Sequence, residues 1–323
     1  FEELRECDLG ITSYALLRRD QPVYRDFTFD YLILDEAQHI KNPNTSNAKS
    51  CKAIRSKYRM ILTGTPVENS TREIWSLFDF LCPGMLGNQR FFRERYDNGT
   101  EREAMKASPD DLARQIRPFI LRRTKREVFQ ELPPKLEHTV YCELTTAQRA
   151  IYERILDRGQ RYMATVREEG LQKCRFELLS LLLRMRQVCC HPCLLPADII
   201  DPEEAAAATS GKMELFKEEL QECLDDCHRV LVFSQFRSML QRMIPVLEDI
   251  GIPYEYLDGS TKDRQTRVDR FNRDEGIPVF LISLKAGGTG LNLTGADTVI
   301  HYDQWWNPMV EDQATDRTHR IGQ

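Results

Sequence analysis

Asp35 and Glu36 stand side by side at the end of an apolar run in the stretch YLILDEAQHIKN, Tyr31–Asn42. Two adjacent carboxylates repel each other, so the pair needs a cation or hydrogen-bond donors. Open parallel sheets bind ligands at the carboxyl ends of their strands, and a strand ending in Asp-Glu would present both acids there. One carboxylate can hold a hydrated magnesium ion, which keeps most of its waters and takes only one or two protein oxygens. The other can orient a water that attacks a terminal phosphate. The same two acids would equally suit the start of a helix, where negative charge favours the dipole.

Three further segments carry comparable chemistry. LTGTPVEN places Thr63, Gly64 and Thr65 after a second strand-like run. Hydroxyls and a close backbone there could sense a phosphate or the acids, although Gly-Thr-Pro is also an ordinary turn. In SLKAGGTGLNLTG, Gly287, Gly288 and Gly290 give a loop whose backbone can approach a phosphate or another part of the chain. No Lys-Ser/Thr follows these glycines, so this is not a P-loop. In WNPMVEDQATDRTHRIGQ, Asn307 can cap a helix and Pro308 fits its first position. Continued helically, Gln313, Arg317 and Arg320 fall at i, i+4 and i+7 on one face. Two guanidinium groups so placed could act on a transferring phosphoryl group as arginine fingers. A solvated helix with Asp312 and Asp316 pairing the arginines is the competing reading.

The surrounding elements are those of an α/β protein. YLIL and RMILT read as buried strands of a parallel sheet. STREIWSLFDFL changes period: Ser70 and Glu73 form a capping-box pattern, with Ile74, Leu77, Phe78 and Leu81 on one face. Residues from about 84 to 132 read as mainly helical, HTVYCEL as a strand, and Thr145 to about Cys190 as a long helical region. PADIIDPEEAAAATSG, residues 196–211, has the composition of an exposed connector. RVLVF, YEYLDGS, PVFLIS and DTVIHYD then read as strands with helices between them, the first helix stopping at Gly251. Strand–helix repetition predicts doubly wound parallel sheets, and two lobes are expected: residues 1–134 with a helical protrusion, and 135–323 with a second protrusion at about 145–195.

The chain has 323 residues, 41% hydrophobic and 29% charged, and a net charge of −5. That is a globular composition large enough for two cores, and not a polycation. No run approaches the roughly 18 apolar residues of a membrane span. The 10 cysteines have no regular spacing and suit reduced thiols better than a disulfide framework.

Taken together, DEAQHIKN, LTGTPVEN, RVLVFSQF, YLDGST, SLKAGGTGLNLTGADTVIHYDQWWNP and DQATDRTHRIGQ appear in the order of superfamily II helicases. The chain most resembles their Swi/Snf-type branch, and RPFILRRTKREV and LRMRQVCCHPCLL extend the likeness through the helical parts. The resemblance implies two RecA-like lobes with ATP between them, and ATP-driven translocation on double-stranded DNA. Asp35 would hold Mg²⁺ through water, Glu36 would polarise the attacking water, and Gln38 would sense the γ-phosphate. Thr63, Gly64 and Thr65 would couple hydrolysis to lobe movement; Gly288, Gly290 and Gln313 would lie at the nucleotide, with Arg317 and Arg320 as fingers. DNA phosphates would meet Thr12, Ser13, Ser234, Gln235, Ser283, Lys285 and Asn292, contacts that carry no sequence readout.

The Walker A loop that such a first lobe carries is absent: the only Gly-Lys is Gly211-Lys212, followed by Met213. The expectation is a piece that starts downstream of that loop, stops within its second lobe, and does not turn over ATP by itself. CCHPC (Cys189–Cys193) and the Cys223, Cys227, His228 set lack the paired four-ligand spacing of structural zinc, which is not expected. Six basic residues and no acids lie between Arg114 and Arg126, on either a DNA-facing or a solvated face. Trp305-Trp306 could stack on bases or pack internally. With no long insertion before SGKMELF, the chain resembles bacterial members. A cytoplasmic, DNA-associated protein is expected, nuclear if eukaryotic, possessing a protein target to remodel and no membrane partner. Two other functions compete: strand-separating helicase action on DNA or RNA, and a non-catalytic binding piece.

Overall fold

A computed structural model of the chain describes residues 4, 6–64, 71–96, 109–128, 135–170, 174–287 and 290–318. Thr65, Gly288 and Arg320 lie outside the described residues, as does Ser70 of the capping-box pattern. The chain divides into two compact units, Phe1–Thr124 and Lys125–Gln323.

In the first unit, helices α1 (Tyr14–Arg19) and α2 (Gln21–Tyr24) precede strand β1 (Thr28–Leu34). A 3₁₀ turn over Ala37–Ile40 and helix α3 (Ser46–Ala53) lead into β2 (Arg55–Ile61). The two strands pair in parallel, with Leu34 opposite Ile61. Helices α4 (Thr71–Leu81), α5 (Gln89–Tyr96) and α6 (Pro109–Ile116) follow. Leu17, Leu34, Ile40, Cys51, Leu77 and Phe80 form a core on one side of this sheet. The expectation of strands buried on both faces is corrected here. Tyr31, Ile33, Tyr58 and Met60 are exposed, with the two tyrosine rings stacked at 5.0 Å. The helical core residues meet only the alternate side chains of each strand, and β geometry sends the others to the opposite face.

The second unit opens with α7 (Lys125–Val128), and residues 135–145 carry no regular secondary structure, so HTVYCEL is not a strand. Among the described residues its β-type side chains have no neighbouring strand to complete a ladder, and Leu136, Val140 and Tyr141 are exposed. Helix α8 (Thr146–Glu169) packs on α9 (Arg175–Cys190), the two separated at Gly170. The connector is also not exposed throughout. Ile200, Ala205 and Ala208, around helix α10 (Pro202–Ala207), are buried against Ile151, Ile155 and Val188.

Helix α11 (Gly211–Asp225) then introduces a four-stranded parallel sheet in the order β4-β5-β3-β6. Its strands are β3 (Val230–Ser234), β4 (Tyr254–Leu257), β5 (Val279–Ser283) and β6 (Thr298–His301). Helices α12 (Arg237–Asp249), α13 (Arg264–Arg273), α14 (Leu284–Gly287) and α15 (Pro308–Thr315) complete the unit. Period-2 alternation sorts the two cores. Val230 and Val232 join Leu240, Met243 and Leu247 on one face. Leu231 and Phe233 join Val268, Phe271 and Ile282 on the other. Each such fully buried side chain contributes about 1.5–3 kcal/mol. The fold is thus mixed α/β with parallel sheets, and the second unit is covered on both faces.

Candidate functional site

The carboxyl end of the first sheet is where Asp35 and Glu36 emerge. The Leu62 amide donates to the Leu34 carbonyl at 2.8 Å, and the Ala37 amide to the Leu62 carbonyl at 3.0 Å. These bonds tie the acidic turn to the residue before Thr63. Asp35 is exposed, and its Oδ1 accepts the Glu36 amide at 2.9 Å. Glu36 sits in the left-handed region with φ 49°. A non-glycine residue held there costs about 1–3 kcal/mol and persists only where its neighbours over-determine it. Gln38 supplies one restraint, its Nε2 donating to Glu36 Oε2 at 2.8 Å. Tyr14, which no local pattern singles out, supplies another: its hydroxyl donates to the Asp35 carbonyl at 2.7 Å and its ring packs on His39 at 4.9 Å. Burial first, then the neighbouring Cys51, Asp35 and Glu36 side chains, push the Tyr14 pKa well up, so this hydroxyl stays a donor.

Thr63 is half-buried and Gly64 exposed just after β2. Behind the turn, Lys41 is buried and pairs with Glu73 at 3.4 Å. Ser76 donates to the Ile40 carbonyl at 2.6 Å, so α4 braces the 3₁₀ turn. Gln38 Oε1 is buried with no hydrogen-bond donor among the described residues. Asp35 therefore has the donor chemistry for a hydrated magnesium ion: a hard oxygen, exposed, with only Oδ1 engaged. Upstream, Thr12 is exposed, while the Ser13 hydroxyl caps α1 by accepting the Leu16 amide at 3.3 Å.

In the second unit the register places Ser234 opposite Ser283 at the sheet's carboxyl edge, and Phe233 opposite His301. Neither serine presents its hydroxyl outward. Both are buried; Ser234 Oγ donates to Asp303 Oδ2, and Ser283 Oγ accepts the Ala286 amide at 3.4 Å. Asp303 also accepts the Gln235 amide at 3.1 Å. Burial raises the Asp303 pKa, and the bonds from Ser234 and Gln235 oppose that rise. Lys285 and Asn292 are exposed, the Asn292 carbonyl accepting Asn272 Nδ2 at 2.9 Å. Gly287 has a packing reason for its identity, since a Cβ there would lie 2.6 Å from Phe233 Cε1. Gly290 adopts φ 55°.

Asn307 caps α15 by accepting the Met309 amide at 3.1 Å, with Pro308 in the first turn. The helix ends at Thr315, however, before Arg317. The Arg317 amide bonds Ala314 and the Thr318 amide bonds Thr315, both at 3.1 Å, so the chain tightens into i→i−3 turns. Gln313 and Arg317 do not share one continuous helical face. Arg317 is also buried, which removes the solvated-helix alternative for it. Its carbonyl accepts the Leu293 amide at 3.1 Å, joining this turn to the glycine segment.

Members of both Cys/His sets have internal partners. His191 Nδ1 accepts the Cys193 amide at 3.1 Å, Cys193 Sγ meets the Ala205 carbonyl at 2.9 Å, and His228 Nδ1 lies 3.2 Å from Asp297. No group of three or more metal-ligating side chains occurs among the described residues.

The SNF2-related domain matches residues 2–194, and the helicase conserved C-terminal domain matches residues 211–322. The Bacillus subtilis protein YwqA, whose name describes an ATP-dependent helicase/translocase, is 40% identical over 98% of this chain and 34% of its own length. The mouse SWI/SNF-related matrix-associated actin-dependent regulator of chromatin subfamily A member 1 is 35% identical over 98% of this chain and 31% of its own. The chain thus spans about a third of the length of these relatives. The crystal structure of the C-terminal part of the Fun30 ATPase domain superposes with a TM-score of 0.51 at 29% identity, covering 60% of this chain and 83% of that one. With the SNF2-related domain matching well over half of its residues, the chain belongs to the SNF2-related family of the Swi/Snf-type helicases and translocases.

Proposed function

We propose that this chain is motor machinery of an ATP-dependent translocase on double-stranded DNA. The observation that carries this reading is the Asp35-Glu36 turn: an exposed acid beside a second one held in a strained backbone by Gln38 and Tyr14, at a sheet's ligand edge. In this reading Glu36 orients the water that attacks the terminal phosphate, and Gln38 reports the state of that phosphate. Magnesium, held by Asp35 through water, would neutralise phosphate charge when bound. Leu62, bonded to the acidic turn through the Ala37 amide, leads into Thr63 and Gly64, and these two with Thr65 would couple hydrolysis to movement. Gln313, Arg317 and Arg320, with Gly288 and Gly290, supply the second unit's contribution to the reacting phosphates. Thr12, Gln235, Lys285 and Asn292 meet DNA phosphates. Ser13, Ser234 and Ser283 shape those contacts through the internal bonds described above. Such contacts make binding sequence-independent and weaker as salt rises.

No lysine loop for cradling phosphates occurs in the 323 residues, so turnover is expected of the full-length protein and not of these residues alone. In the full-length protein, Glu36→Gln should lower ATP hydrolysis by about 10²-fold or more, with and without duplex DNA, while nucleotide still binds. Hydrolysis that survives the substitution would show that another group handles the water. Displacement of a third strand from a triplex, without unwinding of a plain duplex, is the expected outcome for a translocase. Unwinding without triplex displacement would favour the strand-separating alternative.

A further inference from the structure

Helix α9 ends against a loop far away in sequence. Arg186 donates from Nη2 to the Gln304 carbonyl, and its guanidinium lies over the rings of Trp306 and Trp305 at 4.6 and 5.9 Å. From that loop two connections run onward. Asp303 takes the Ser234 hydroxyl and the Gln235 amide, holding the turn after β3. Glu311 Oε1 takes the Trp305 amide at 2.5 Å, holding the first turn of α15 to the same loop. We propose that Arg186 is a positioning residue, through which the helical arm of the second unit sets the Gln235 turn and helix α15 in a single arrangement. This rests on the reading above, in which Gln235 meets DNA and the α15 segment carries the arginines that answer the phosphates.

Three features favour positioning over simple packing. Trp306 is 64% exposed despite the cation over it, so the contact buries little apolar surface. Arg186 Nη1 is buried with no acceptor among the described residues, a poor arrangement for a side chain present only for stability. The guanidinium is also a charge partner to both acids that fasten the loop, Asp303 and Glu311. A cation placed over two aromatic rings, with a carbonyl on one edge, fixes a loop's orientation as well as its proximity.

The test uses the full-length protein with Arg186→Met, which keeps the stem and loses the charge and donor, and Arg186→Lys, which keeps a cation over the rings. Hydrogen exchange should rise in Arg186→Met at both residues 234–236 and 303–312, with the thermal midpoint unchanged. DNA-stimulated ATP hydrolysis should fall at least about tenfold while nucleotide affinity moves less than about twofold, because misplacement of reacting groups penalises the reaction more than binding. Arg186→Lys should recover most of that loss. Exchange rising only at 303–306, or hydrolysis within twofold of the unsubstituted protein despite exchange rising at both places, would overturn the inference. If the unsubstituted protein shows no DNA-stimulated hydrolysis, the functional reading fails, and the exchange result still decides whether Arg186 positions both elements.

Discussion

Acidification from pH 7 to pH 5 should lower the stability of the fold through His301, the residue that seats the end of helix α15. This imidazole stacks on Phe233 with ring centroids 5.5 Å apart, and its Nε2 lies 2.9 Å from Thr315 Oγ1 at the end of α15. Burial, reinforced by Lys135 and opposed by Asp312, pulls its pKa down from 6.5 to about 4. A histidine whose folded pKa is depressed binds fewer protons in the folded state between those two values, so stability rises with pH across that window and is lost on acidification. The full displacement is worth about 3 kcal/mol, of which about 2 kcal/mol falls between pH 7 and pH 5. His191 behaves alike: burial takes it to about 4, and its Nδ1 must stay unprotonated to accept the Cys193 amide. Urea unfolding of the protein and of His301→Gln at both pH values separates the two. The variant should lose about 2 kcal/mol less than the parent over this range, the remaining slope belonging to His191 and the carboxylates. Parallel losses in parent and variant would refute the assignment, because the imidazole would then titrate at its ordinary value in the fold.

Two packing predictions need no ligand. Gln148 is fully buried and holds four partners: Nε2 donates to the Val188 carbonyl at 2.9 Å and Ser210 Oγ at 3.4 Å, and Oε1 accepts the Gly211 and Thr145 amides at 2.9 and 3.2 Å. Gln148→Leu strands several of these groups and should cost at least about 3 kcal/mol, with hydrogen exchange rising in α8 and α9 before β3 and β5. Gly287→Ala drives a Cβ against Phe233 and Ile282, both fully enclosed, and should cost about 1–3 kcal/mol in thermal unfolding. A neutral result there would mean that the Phe233 ring can give way.

The strands of the second unit were legible because short continuous apolar runs such as VLVFS and VFLIS are bounded by polar turns, and the Asn307-Pro308 start was legible because capping is local. HTVYCEL misled because β-type composition says nothing about whether a neighbouring strand is there to pair with. The extension of α15 to Arg317 failed because helical spacing does not reveal where i→i−4 bonding gives way to tighter turns. The connector read as exposed from its acids and small residues, yet its alanines are small enough to seat against Ile151 and Val188. What the sequence could not show at all were contacts between distant segments. Arg186 and Gln304 are 118 residues apart, and Ser234 and Asp303 are 69. Tyr14 reaches the Asp35 carbonyl across 21. No local pattern links such pairs, so the residues that hold the candidate site were harder to find than those that compose it.

Acids at the ends of parallel strands are common to both units, and their partners separate structural from chemical roles. Asp258, after β4, is buried; burial raises its pKa, but hydrogen bonds from Ser260 and Tyr256 and the Arg237 charge outweigh that and pull it to about 2. Glu255, on the same strand, is buried between Arg267 and Arg270, each at 3.1 Å. Asp303 is buried and engaged by Ser234 and Gln235. Each of these carboxylates is already neutralised or solvated by the protein, and a cation arriving there would have to displace those donors. Asp35 differs on every count: it is exposed, its carboxylate accepts only its neighbour's amide among the described residues, and the strain beside it at Glu36 is held in place by Gln38 and Tyr14. Strain maintained next to an acid with spare coordination has no use for stability, since relaxing Glu36 out of the left-handed region would recover about 1–3 kcal/mol. It is explained if the turn must hold both carboxylates in one orientation for a bound ion and its waters. On this criterion the Asp35-Glu36 turn is the described strand end that suits the chemistry proposed above, while the other carboxylates are engaged in holding their sheet edge in shape.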